Sequence, residues 1–571
     1  MTTATTDPRT ASVAKKKKRY SKQYLAYLVH SFVGLKLTLL LTVVLLTGAL
    51  AVFQQELDWL IHPEMRAEVQ EERLNAGELL DRLQAAYPDN GMFFFRSSEN
   101  HPYLNAYARY IDADGGYRHA WIDPYSGEVK GDTVLLSLGQ FLGFLHATLF
   151  LPAIGNSLVN GLGLLVLISL ISGLIAVPKF WRYFFKLPRC GNLRVLLADL
   201  HRLVGLWSLW LVLIIGVTGS WWFYEDPFVK YFGAPELVEP MPRKPLLSYE
   251  DLEQFQNGVT PQMISAQEAV QRVLSRYPDW QVDVINPPEH NSDPYEVIAS
   301  GDNWLLSEWR GNRVMVHPFS GEILETHAVN DLSAMQRTDL AMRPLHYGTW
   351  AVTGGPDLLV KTLYFIGGLG MTFLAMSGLL ISYKRTRKAA RKAAVRSGLS
   401  RKLRTLVQWV KPWGGPMGVF KYLNILALVG IIMGTGIALS LSSEGTKNSG
   451  FIYSEKAIGP WRVSMNAFAG LLEKNMSPIR PGGKTNLNVQ IDAQALKAIK
   501  FLYVRVGKPR TLRAPGTLIH GPIGAKHVHL QLPKQIDQQS QLWLTAITWQ
   551  GEAYQTAWSL LPDAEETIDA R

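Results

Sequence analysis

A chain of 571 residues with 58 lysines and arginines, 47 aspartates and glutamates and one cysteine is too long for a single core. Lone Cys190 excludes an intrachain disulfide and any cysteine-ligated iron–sulfur or zinc centre. Apolar residues are concentrated in blocks, so the formal charge of +11 fits the loops of a membrane protein better than a nucleic-acid surface, and no nucleic-acid partner is expected.

Five apolar runs reach the roughly 20 residues that cross a hydrocarbon core. In chain order, residues 1–25 are basic and aperiodic and read as a disordered cytoplasmic leader that is retained, ahead of a first span at 26–53. Segment 54–140 reads as an α+β domain, with a helix over Leu74–Tyr87 and strands around Met92–Phe95, Tyr103–Tyr110 and Tyr117–Ile122. A second span (141–177), a basic loop (178–200) and a third span (201–224) follow. Region 225–343 holds a second α+β unit, with a helix over Ser265–Tyr277 and strands near Trp280–Ile285, Tyr295–Ala299 and Trp304–Glu308. The fourth span (344–383), a basic linker (384–418), a fifth span (419–441) and a β-rich domain (442–571) complete the chain. Short basic loops stay in the cytoplasm. The N-terminus is therefore expected inside, and both α+β units and the C-terminal domain outside.

The chain is internally duplicated. At a shift of 171 positions His30/His201, Val33/Val204, Gly34/Gly205, Leu35/Leu206, Thr47/Thr218 and Gly48/Gly219 coincide. At a shift of 194, Pro124, Ser126, Gly127 and Glu128 align with Pro318, Ser320, Gly321 and Glu322, which is turn chemistry. After each α+β unit the chain re-enters the apolar region through a Leu-His pair, Leu145–His146 and Leu345–His346, and the following runs contain Ser172–Gly173 and Ser377–Gly378. The repeat is helix, domain, helix, twice over.

Four histidines lie at or within the apolar spans, and an ionisable ring there is costly without a partner. Topology sorts them into two layers: His30 with His201 toward the cytoplasm, and His146 with His346 toward the outside. Paired imidazoles in a helical bundle suit the two axial positions of a haem iron. Gly34 and Gly205, one turn beyond their histidines, would let a flat ring approach the backbone. Zinc wants three or four ligands in one place, which this two-and-two division does not supply. In the β-rich tail His520, His527 and His529 form a separate cluster that could bind copper or iron; ordinary strand surface is the alternative.

The paired histidine helix openings, the Leu-His returns, the Ser-Gly doublets and the Pro-aromatic-Ser-Gly-Glu units together resemble the PepSY-associated transmembrane proteins, and within them the siderophore-iron (ferric) reductases of bacterial inner membranes. The resemblance covers about residues 20–390. It implies a four-helix, haem b-containing core with PepSY-like domains in the periplasm; joined to the residue pairing, this gives two expected haem b groups, on His30/His201 and His146/His346, and two PepSY-like domains. The expected activity is outward electron transfer to ferric iron or a ferric siderophore for iron uptake. No flavin or nicotinamide fingerprint is present, so the donor is expected to be separate, a cytoplasmic reductase or a quinol. The fifth helix and the β-rich tail are additions to that pattern. A reading from another class remains: a membrane-anchored PepSY sensor or peptidase-binding protein without a cofactor.

Overall fold

The computed structural model describes residues 21–112, 116–151, 154–242, 244–247, 252, 261–301, 303, 305–306, 310–350, 357–396, 428–436, 450–468, 479–512, 515–522, 524, 526–561 and 567–568. The basic leader 1–20, most of the linker 384–418 and most of the expected strand at Trp304–Glu308 lie outside them. Of the fifth span, 428–436 is helical and the remainder lies outside the described residues. The chain divides into two compact units. One comprises Met1–Leu45, Leu158–Phe223 and Gly367–Val429; the other comprises Leu46–Ser157, Tyr224–Ile366 and Gly430–Arg571.

Two described helices are long and apolar enough to cross a membrane, Gly155–Ala176 and the first part, Asp357–Lys384, of the helix Asp357–Arg396. The expected first and third spans are broken helices: α1 (Lys22–Lys36) with α2 (Thr38–Ala51), and Leu193–Trp207 with Leu209–Phe223, the second pair bent by 69°. The breaks fall at Leu37 and Ser208, which are themselves 171 residues apart. No proline is present at either. Instead a glycine, Gly34 or Gly205, lies three residues before each break, and at the first the buried Thr38 hydroxyl donates to the Gly34 carbonyl at 2.6 Å. Glycine together with side-chain competition for a helix carbonyl is a recognised cause of sharp bending.

In the second unit, α3 (Gln54–Ile61) leads to the first α+β segment. That segment consists of α4 (Ala76–Ala86), β1 (Phe94–Arg96), β2 (Ala106–Ile111), β3 (Tyr117–Ile122) and β4 (Val129–Val134), followed by helix α5 (Leu138–Thr148). With Gly155–Ala176, Leu193–Trp207 and Leu209–Phe223 taken as α6 to α8, the second segment is α9 (Ala266–Arg276), β5 (Gln281–Asn286), β6 (Tyr295–Ser300), β7 (Asn312–Val316) and β8 (Ile323–His327). The two segments share one antiparallel sheet in the order β4-β3-β2-β1-β5-β6-β7-β8, joined where Phe95 faces Ile285 and Arg96 faces Val284. Apolar faces of α4 (Leu79, Leu80, Leu83) and α9 (Ala269, Val270, Val273) cover its core. The helices carry Asn75 and Ser265 as N-caps, accepting from Gly77 N and Glu268 N. Asp81 of α4 also accepts from the first two amides of α9, Ala266 N at 2.8 Å and Gln267 N at 2.9 Å.

The duplicated turns explain their own sequence. Gly127 (φ 72°) and Gly321 (φ 71°) take the left-handed conformation that excludes a Cβ. The turn amides are held by an acceptor at its first position: Asp123 Oδ1 takes Tyr125 N and Ser126 N, and His317 Nδ1 takes Phe319 N and Ser320 N. An imidazole nitrogen thus replaces a carboxylate in the same role.

The C-terminal domain is two sheets over one core. β9 (Gly450–Ile458), β10 (Trp461–Phe468), β11 (Lys484–Ile491), β14 (Lys526–Gln531) and β17 (Thr567–Ile568) form the first. β12 (Ile499–Val506), β13 (Thr517–Leu518), β15 (Gln541–Thr548) and β16 (Ala553–Ser559) form the second. Val463, Met465, Leu487, Val489 and Val528 of one meet Leu502, Val504, Leu542, Leu544 and Trp558 of the other. The domain docks on the eight-stranded sheet's loops, where Asn291 Nδ2 donates to the Ile499 and Lys500 carbonyls and Phe319 meets Trp549 edge-on.

Candidate functional site

The four span histidines come together as two pairs. Within the first unit the ring centres of His30 and His201 lie 6.3 Å apart; within the second those of His146 and His346 lie 6.1 Å apart. Two imidazoles on opposite faces of one iron, each through a nitrogen about 2.0–2.1 Å from the metal and about 1.1 Å from its ring centre, put those centres about 6.3 Å apart. Both pairs fit that spacing, and two neutral nitrogen donors are the set a haem iron takes axially.

In the first pair both Nδ1 atoms are engaged in hydrogen bonds. His30 Nδ1 donates to the Ser169 carbonyl at 2.8 Å. His201 Nδ1 and the Ser377 hydroxyl share a hydrogen bond at 2.8 Å. With its proton on Nδ1, His30 keeps Nε2 as the nitrogen that could bind a metal, the orienting device common to metal-bound histidines.

The second pair is set by helix ends. α5 begins at Ser137, which caps Gln140 N and donates to Asp58 at 2.6 Å; Asp58 also accepts from Gly139 N at 2.8 Å. His346 lies in α10 (Ala334–Tyr347), which opens with a capping box between Ser333 and Gln336. Beyond α10, the Tyr364 hydroxyl of α11 (Asp357–Arg396) donates to Leu345 O at 2.7 Å.

The glycines that stand against the imidazoles are others than Gly34 and Gly205, whose expected role is to admit a flat macrocycle and not an imidazole. A Cβ on Gly34 would have nothing within 4 Å, and one on Gly205 would rest 3.6 Å from Leu374. It is Gly48 that lies against His146, Gly173 against His30 and Gly378 against His201. The duplicated Thr-Gly and Ser-Gly doublets were the signal. Sequence reasoning also missed a buried charge cluster in the second unit: Lys361, 2% exposed, reaches Glu56 at 2.7 Å and Asp357 at 2.9 Å, and Tyr103 donates to Glu56 at 3.2 Å.

His520, His527 and His529 do converge, with one ligand nitrogen from each within 4.8 Å of the others. Burial, then the neighbouring His527 and His529, holds the His520 imidazole down to about 4, so it is neutral at pH 7.

Apolar helices of spanning length, with two pairs of histidines at or near them, define the class as an α-helical membrane protein. The chain belongs to the PepSY-associated TM region family, whose model matches residues 27–385, well over half of its length. A second model, described as Uncharacterised conserved protein UCP029505, matches residues 425–561. The chain is 27% identical over 270 residues to Uncharacterized protein PA4219 of Pseudomonas aeruginosa, a match that spans 44% of this chain and 64% of that protein.

Proposed function

We propose that the chain is a multi-pass inner-membrane electron-transfer protein with two haem b groups, one on His30/His201 and one on His146/His346. It reduces ferric iron or a ferric siderophore in the periplasm for iron uptake and draws on a separate cytoplasmic or quinol donor. The supporting observation is that two histidine pairs, brought together from sequence separations of 171 and 200 residues, independently adopt the spacing of axial ligands to one metal. When bound, haem supplies reversible one-electron iron chemistry, and reducing a ferric chelate weakens a hard-oxygen ligand set. The protein's own part is to hold the ligating nitrogens: the Ser169 carbonyl fixes the tautomer of His30, the Ser377 hydroxyl orients the His201 ring, and the capped ends of α5 and α10 place His146 and His346. Gly48, Gly173 and Gly378 leave room for the rings to keep those positions.

An absorbance spectrum of the detergent-purified protein tests the reading. A Soret band, reducible b-type bands and about two haems per chain are expected, with His30→Ala and His146→Ala each removing one. Absence of these bands would sink it and favour the cofactor-free sensor.

A further inference from the structure

The histidine cluster of the C-terminal domain is built by strand register. β14 sends Lys526, Val528 and Leu530 inward and leaves His527 and His529 outward, as alternation requires. His520 joins them across an antiparallel bridge in which His520 N donates to His527 O at 3.0 Å and His527 N to His520 O at 2.7 Å. A pair that exchanges both backbone bonds has its side chains on one face. The residue beside His520 is pinned as well, because the buried Lys526 ammonium, on the opposite face of the strand, donates to the carbonyls of Gly521 and Glu289.

The three ring centres form a triangle of 4.2, 5.6 and 5.7 Å. Imidazoles bound at about 2.0–2.1 Å to one ion place their centres about 4.5 Å apart at right angles and about 5.2 Å apart at the tetrahedral angle. The observed sides bracket both. A second, independent feature orients a ligand: Asn486, opposite His529 in β11, accepts from His529 Nδ1 at 2.6 Å, which leaves Nε2 for a metal. Among the described residues the converging ligand atoms are those of three imidazoles, a donor set for copper, zinc or nickel and not for magnesium or calcium.

We propose that His520, His527 and His529 form a binding site for a late first-row divalent cation, with the remaining coordination positions open to water. The site is carried wholly by the C-terminal domain and does not depend on the haem reading.

The test uses the full-length, untagged protein in detergent, titrated with Cu²⁺ and then with Zn²⁺. One Cu²⁺ per chain with nitrogen hyperfine structure in its electron paramagnetic resonance spectrum is expected, bound more tightly than Zn²⁺. His529→Ala, at an exposed position that leaves the fold intact by circular dichroism, weakens binding at least about tenfold, and Asn486→Ala weakens it about 10–100-fold. A dissociation constant weaker than about 100 µM, or affinity unchanged in both His527→Ala and His529→Ala, overturns the proposal. Haem absorbance of the same samples reports the electron-transfer reading separately, so either can fail alone.

Discussion

Replacing glycine by alanine at three helix positions grades the pressure on three different histidines. At Gly48 the new Cβ would stand 2.6 Å from Cε1 and 2.8 Å from Nδ1 of His146; at Gly173, 3.2 Å from the same two atoms of His30; at Gly378, 3.5 Å from Cε1 of His201. Non-bonded carbons settle at about 3.5–4.0 Å. Gly48→Ala must therefore move the His146 ring by about 0.9 Å, Gly173→Ala must move His30 by about 0.3 Å, and Gly378→Ala needs no movement. Alanine is favoured over glycine in a helix interior by about 1 kcal/mol, so the backbone does not oppose any of the three. Overpacking costs about 1–3 kcal/mol, which on the two-haem reading proposed above lowers cofactor affinity at His146/His346 by roughly 5–150-fold in Gly48→Ala. The assay is haem per chain by pyridine haemochrome, with His146→Ala and His30→Ala as references for the two sites. The expected order of loss is Gly48→Ala, then Gly173→Ala, with Gly378→Ala unchanged. Equal losses at Gly378 and Gly48, or loss in Gly48→Ala of the component that His30→Ala removes, would refute the assignment of rings to pairs.

Two further outcomes concern the eight-stranded sheet. Asp81→Ala removes both acceptors at the start of α9 and is expected to cost about 1–2 kcal/mol; amide exchange at Ala266 and Gln267 then speeds up roughly 5–30-fold, and unchanged protection would show that the carboxylate is not the cap. His119 accepts from Arg109 Nε, and burial, followed by the Arg109 charge, pulls its imidazole from 6.5 to about 3. Between those values the unfolded chain binds the extra proton, so stability falls as pH drops from about 6.5 toward 3. His119→Gln, which keeps an acceptor and loses the proton site, is expected to show a smaller fall in melting temperature between pH 7 and pH 4.5; an identical fall would place the acid sensitivity elsewhere.

Much of this architecture was legible because duplication supplies an internal comparison. Aligning His30 with His201 and reading topology from the basic loops was enough to pair the four histidines as the structure pairs them. Strands such as Tyr117–Ile122 were legible from composition alone, with both boundaries as expected. Other features depend on contacts between residues far apart in sequence. The helix breaks at Leu37 and Ser208 carry no proline, so a hydropathy run passes over them. Strand β1 has three residues and gave no hint that it joins two domains into one sheet. The cluster of Glu56, Asp357 and Lys361 spans about 300 positions and has no periodic signature. Duplication also misleads: Gly48 and Gly219 are equivalent by sequence, yet Gly48 faces His146 whereas Gly219 packs against the backbone of Gly163.

The seam between β1 and β5 carries a historical consequence. The helices α4 and α9 begin 190 residues apart, and at that offset Phe95 corresponds to Ile285, the residue it pairs with. The adjoining pair, Arg96 with Val284, continues the antiparallel register from that point. The join is thus a strand meeting its own counterpart about a two-fold axis, the self-complementary geometry of a symmetric dimer. A half-length ancestor with this edge exposed would have paired with a second copy of itself in the same register, and gene fusion would have made that partnership permanent. Once the halves were covalently joined they were free to diverge: Asp81 caps the neighbouring helix, while the corresponding position, Gln271, returns no such bond across the axis among the described residues.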